Sequence, residues 1–70
     1  MTLGENISTM RKTVGLTQMQ LGSMIGLEGR SGEVTIQRWE HDRTSPTVKY
    51  LRPLCRALGC TLEELIPPES

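Results

Sequence analysis

The stretch from Thr17 to Glu40, TQMQLGSMIGLEGRSGEVTIQRWE, sets the tightest limits on what this chain can become. Thr17 and Gln20 have the spacing of a capping box, in which a hydroxyl and an amide side chain satisfy the backbone donors left open at a helix start. Leu21, Met24 and Ile25 then recur at helical intervals, giving a short helix with an apolar face. Gly26 ends it, since glycine enters the left-handed backbone region without steric penalty. A second helical pattern carries Val34, Ile36 and Trp39 and closes at Glu40. Two short helices meeting at a glycine turn let the first pin the second to a core while the second presents its far face to solvent.

The flanks supply that core. Leu3, Ile7 and Met10 are three and four apart within Met1–Thr13, which predicts a first helix stopped at Gly15. Beyond a polar loop, Val48, Leu51, Leu54, Cys55 and Leu58 mark one face of a fourth helix, which contains Pro53 and ends at Gly59. Thr61 and Glu64 repeat the capping-box spacing, with Leu62, Leu65 and Ile66 expected to pack back before Pro67-Pro68. The expected fold is all-α with five helices, around a core of Leu21, Ile25, Ile36, Trp39, Leu51, Leu54, Leu58 and Leu65. Seventy residues allow one domain, 1–70, near the lower size at which a core alone holds a fold. A dimer is then expected to form through that same domain, through a partner, or on the ligand.

Read together, Leu16-Thr17-Gln18, Leu21-Gly22, Gly26, Ile36 and Arg38-Trp39-Glu40 resemble the lambda-repressor and Cro family of helix-turn-helix proteins, the XRE-type regulators. The similarity continues through Pro46-Thr47-Val48, Leu51, the segment Leu54 to Gly59 and the segment Thr61 to Leu65, so it covers nearly the whole chain. It implies a DNA-binding domain whose helix-turn-helix unit lies at about residues 17–41, with its second helix in the major groove. It also implies that Arg11 pairs with Glu40, that Gln18 touches a phosphate at the groove edge, and that Gly22 is small because the recognition helix crosses close by. Two features depart from the family pattern. More residues than usual, Leu27 to Thr35, separate Gly26 from Ile36. They either enlarge the turn, with Ser31 capping the recognition helix, or extend that helix at its N-terminal end. Asp42 stands where the family takes glycine, and aspartate reaches the left-handed region less readily.

Aligned from Ile36, the positions Glu33, Val34, Gln37 and Arg38 match those the family turns toward DNA bases. Arginine can bond guanine O6 and N7 together, glutamine can pair with adenine, and valine can meet a thymine methyl. Glu33 can accept from cytosine or repel phosphates. Arg30, Ser31, Arg43, Thr44 and Ser45 join Gln18 as candidate phosphate contacts, and His41 has no assigned role.

The formal net charge is zero, so composition by itself makes no case for nucleic acid. Distribution says more: Arg30 to Arg56 carries six basic residues against three acidic ones, while Glu63, Glu64 and Glu69 follow. Cys55 and Cys60 are expected to be free thiols behaving as small buried hydrophobes, with no metal and no cofactor. A redox or metal sensor would require both thiols to react in the folded state. Nothing resembles a nucleophile with its base, a phosphate loop or a metal cluster, which points away from an enzyme. No apolar run reaches bilayer-spanning length and the N-terminus lacks a signal pattern, so a cytoplasmic location is expected. The expected function is a sequence-specific regulator of double-stranded DNA, a phage, prophage or mobile-element repressor that occupies a palindromic operator as a homodimer. The competing reading is a protein-interaction module, an antitoxin or adaptor, whose binding would lack the steep salt dependence of a DNA complex.

Overall fold

The computed structural model describes residues 1–68, and these form five helices with no strand among them. They are α1 (Leu3–Thr13), α2 (Gln18–Met24), α3 (Gly29–Glu40), α4 (Val48–Leu58) and α5 (Leu62–Leu65). Glu69, counted above in the acidic tail, lies outside the described residues. Three helices open with complete capping boxes, Thr2 with Glu5, Thr17 with Gln20 and Thr61 with Glu64. The first of these starts α1 at Leu3 rather than Met1, because Thr2 is spent as its cap.

The core gathers Ile7, Leu21, Ile25, Ile36, Trp39, Leu54, Cys55, Leu58 and Leu65, with Leu51 half-buried at its edge. Trp39 meets Tyr50 at a ring-centroid distance of 5.5 Å and a tilt of 50°, a favourable offset geometry for two aromatic rings. Asn6 Nδ2 donates to Leu65 O at 2.8 Å and fastens α5 to α1. Four side chains expected inside face outward. Val48 is 83% exposed: it is the first residue of α4, where the apolar stripe has run past the core. Met24 is exposed, since Leu21, Gly22 and Ile25 take the inward arc of α2 and Met24 lies roughly 100° off it. Leu62 and Ile66 are exposed as well. The single turn of α5 aims only Leu65 inward, and Ile66 has already left the helix in an extended conformation.

The surplus residues after Gly26 lengthen the recognition helix. Leu27 N–H returns to Gly22 O at 2.8 Å, so the chain turns at once and α3 starts at Gly29. Ser31 therefore does not cap α3. It is the third residue inside the helix, where its carbonyl accepts from Thr35 Oγ1 at 2.8 Å. The cap position falls to Glu28, which makes no side-chain capping bond and instead accepts from Ser23 Oγ at 3.3 Å. The longer helix crosses α2 in backbone contact. A Cβ on Gly22 would lie 2.9 Å from the Gly32 carbonyl carbon, and one on Gly32 would run into Leu27 O. Gly22 was legible as a steric limit; its counterpart Gly32 was not.

Candidate nucleic-acid interface

The face that α3 presents follows from what it buries. Gly32, Ile36, Trp39 and Glu40 point inward. At roughly 100° per residue the opposite side must carry Arg30, Ser31, Val34, Gln37, Arg38 and His41. Of these, Arg30, Ser31, Gln37, Arg38 and His41 are exposed and Val34 is half-buried. They line two adjoining hollows. One, of about 420 Å³, is formed by Val34, Gln37, Arg38, His41 and Arg43. The other, of about 430 Å³, is formed by Arg30, Ser31, Val34, Thr35 and Arg38. Val34 and Arg38 belong to both, so the hollows make one strip along the helix.

The structure brings together most of the expected site and sets some residues apart. Arg38, Gln37, Val34, Arg30, Ser31 and Arg43 share the strip. Thr44 and Ser45 are exposed in the loop that follows Arg43. Glu33 lies half-buried on the flank of α3, outside both hollows. His41 and Thr35 line the strip without having been singled out. Counting helical steps outward from the buried pair Ile36 and Trp39 finds His41, whereas Thr35 falls on the flank, roughly 100° from the middle of the strip, where the count does not single it out.

Behind the strip, the end of α3 is tied to α1 and α2 through a carboxylate. Glu40 is 9% exposed. Its Oε2 accepts from Arg11 Nε at 2.5 Å, and its Oε1 accepts from Arg11 Nη2 at 3.2 Å and from Gln18 Nε2 at 3.1 Å. Arg11 Nη1 also donates to Leu16 O at 2.8 Å. The two-pronged arginine fork suits a carboxylate that has left water, and the extra donors satisfy its remaining lone pairs, as a buried ion pair requires. Gln18 is thus half-buried and already bonded to Glu40, leaving its second amide proton for an outside acceptor.

A second attachment lies just beyond. Asp42 N–H donates to Trp39 O and Arg43 N–H to Arg38 O, at 3.1 and 3.0 Å, the paired bonds of a Schellman helix end. Asp42 holds the left-handed position with φ of 57° and is the non-glycine residue among residues 1–68 with positive φ. Its carboxylate crosses to α1: Oδ2 accepts from Thr2 Oγ1 at 2.6 Å and Oδ1 from Gly4 N–H at 3.1 Å. Gly4 is buried there, and a Cβ on it would strike Trp39 O.

On α4 and just past its end, Cys55 is buried and Cys60 half-buried, both as free thiols. Cys60 N–H donates to Cys55 O at 3.0 Å across left-handed Gly59, which brings the two residues together. Burial first, and then the neighbouring Cys55, push the Cys60 thiol up from 9.0 to about 11. A thiol held this firmly in its protonated form is a poor nucleophile and a poor metal ligand. Among the described residues, no helix is long and apolar enough to cross a membrane.

Comparison with known proteins agrees with this geometry. Repressor protein C2 of Salmonella phage P22 is 34% identical over 64 residues, covering 91% of this chain and 28% of that protein. The chain therefore spans little more than a quarter of that repressor's length. The crystal structure of the P22 c2 repressor protein in complex with synthetic operator 9T in the presence of Tl+ is similar at a TM-score of 0.85 and 32% identity, over 99% of this chain and 98% of that one. A model of the helix-turn-helix family matches residues 7–65, from inside α1 to the end of α5. The chain belongs to the helix-turn-helix family, in its lambda-repressor-like, XRE-type branch.

Proposed function

We propose that this chain is a sequence-specific regulator of double-stranded DNA, a phage-type repressor that acts by occupying its operator and performs no chemistry of its own. The observation that carries this proposal is the outward strip on α3. Exposed arginine and glutamine side chains surround one valine, and the acid at the helix end is turned inward and paired with Arg11. Likeness to a repressor bound to a synthetic operator supports it.

In this assignment Arg38 and Gln37 bond base edges in the major groove and Val34 meets a thymine methyl, while Glu33 accepts from a cytosine at the flank. Arg30 and Ser31 at the start of α3, and Arg43, Thr44 and Ser45 beyond its end, hold phosphates on either side. Gln18 offers its free amide proton to another. The chain acts as one helix-turn-helix domain over residues 1–70. It works in the cytoplasm as a homodimer, with two copies of α3 in successive major grooves of a palindromic site, about 34–36 Å apart.

Selection from random duplexes by the purified protein, at low and at physiological salt, tests the proposal, with the solution mass recorded alongside. Enrichment of an inverted repeat is the expected result. Enrichment of no sequence at either salt would overturn it in favour of a protein-interaction module.

A further inference from the structure

Taking the DNA-binding proposal as its basis, we propose that Asp42 is a positioning residue for the recognition helix, holding the end of α3 against the start of α1 so that the DNA-facing strip keeps one orientation. Its conformation and its contacts pull in opposite directions. The Schellman end of α3 needs a left-handed residue, which glycine supplies at no steric penalty and aspartate does not. What aspartate adds is a carboxylate in which both oxygens reach α1, one to Thr2 Oγ1 at 2.6 Å and one to Gly4 N–H at 3.1 Å.

Two further observations show that this contact is built into the fold. Gly4 is buried with its Cα directly over the last carbonyls of α3, so no side chain separates the two backbones. The positive start of α1 faces the negative end of α3, and the Asp42 carboxylate sits at the α1 start, where an anion is favoured. The Arg11–Glu40–Gln18 cluster fixes the same end of α3 to the other end of α1 and to α2. With both attachments, α3 is held at two points along α1. With Glu40 alone, it could pivot about that carboxylate. Arg43, Thr44 and Ser45 leave directly from Asp42, so a pivot would also move the loop proposed to hold phosphates. A glycine at this position would give the turn without the tether.

The test uses the whole chain and the variants Asp42→Gly, Asp42→Asn and Thr2→Val, at a temperature where circular dichroism shows each to be folded. Binding is measured to the duplex the parent selects and to a scrambled duplex, and hydrogen exchange is followed at Gly4 and at the last amides of α3. Asp42→Gly should remain folded, because it relieves the positive φ, yet lose about tenfold in preference for the selected duplex. Its Gly4 amide and the His41 and Arg43 amides should all exchange faster. Asp42→Asn should restore most of the preference, since asparagine tolerates the left-handed region and still accepts from Gly4 N–H. Thr2→Val added to Asp42→Gly should lower the preference no further, since Thr2 reaches α3 only through Asp42, while the α1 cap that Thr2 also supplies shows as lost stability in either background. Unchanged preference in Asp42→Gly would overturn the inference, as would faster exchange confined to Gly4, the mark of a local cap. Should the parent bind no duplex, the DNA-binding proposal fails. The exchange results then decide alone, with unaltered protection at the end of α3 counting against the tether.

Discussion

Arg38 and Glu40 sit two residues apart on α3 and face opposite ways, one into the exposed strip and one into the interior. Their substitutions should therefore separate function from stability. Arg38→Ala should weaken binding to the selected duplex by about 1–3 kcal/mol and relax preference at one base pair, with the unfolding midpoint unchanged. Competition titration against single-base variants of the duplex measures it. Glu40→Ala strands a guanidinium whose side chain is only 11% exposed. Breaking such a pair costs about 3–5 kcal/mol, and a chain this short has only about 3–10 kcal/mol to lose. Urea unfolding should show most of that loss, and replacing Arg11 and Glu40 together by methionine should recover much of it, because no unpaired charge is then buried. A third effect belongs to Cys60. Its thiol keeps its proton up to about 11 in the folded chain, against 9.0 for the ordinary value, so the unfolded chain ionises first. The stability this contributes is complete below about pH 9 and is lost as pH rises toward 11. Thermal midpoints of the parent should fall more steeply across that window than those of Cys60→Ala, and parallel curves would refute the assignment.

Each helix of this chain is legible in its punctuation more than in its propensity. The capping spacings at Thr17 and Thr61 and the stops at Gly15, Gly26 and Gly59 placed five of the boundaries. The start of α3 was not legible, because Glu28 makes no side-chain capping bond and Gly29 leads the helix, where pattern alone favoured no position. What sets it is the crossing with α2. Gly32 must sit where Leu27 O passes, and that is possible only if the helix is already under way at Gly32. Gly32→Ala ought then to be destabilising by about 1–3 kcal/mol, even though alanine is the better helix former by about 1 kcal/mol, since overpacking against a fixed carbonyl outweighs propensity. Equal or greater stability on denaturant unfolding would mean that α2 and α3 can separate without penalty.

Across the whole molecule, a net charge of zero conceals an arginine-lined strip on α3. Arg30, Arg38 and Arg43 border the strip on α3, whereas Glu63 and Glu64 lie on α5. The expected signature is a binding constant that falls steeply with salt despite the neutral balance, each neutralised phosphate adding about −0.9 to the log–log slope. Arg43→Ala should weaken all duplexes alike and make that slope shallower by about 1, while leaving the preferred sequence intact. A slope near zero for the parent would show that the strip does not meet a phosphate backbone.

The order of helices, the residues that cap them and the inward side chains of α2 and α3 follow from local spacing, because periodicity and capping act within one or two turns of chain. The pairing of Arg11 with Glu40 joins positions 29 residues apart. No local pattern contains it, and only the family resemblance anticipated it. The contacts of Asp42 with Thr2 and Gly4, 40 and 38 residues away, had no such guide. Nor did the choice of Gly32 as the partner of Gly22, or the outward turn of Val48, Met24, Leu62 and Ile66. These depend on where helix axes cross and where helices end relative to the core. Such distances are set by packing all five helices at once, and the identity of neighbours along the chain does not encode them separately.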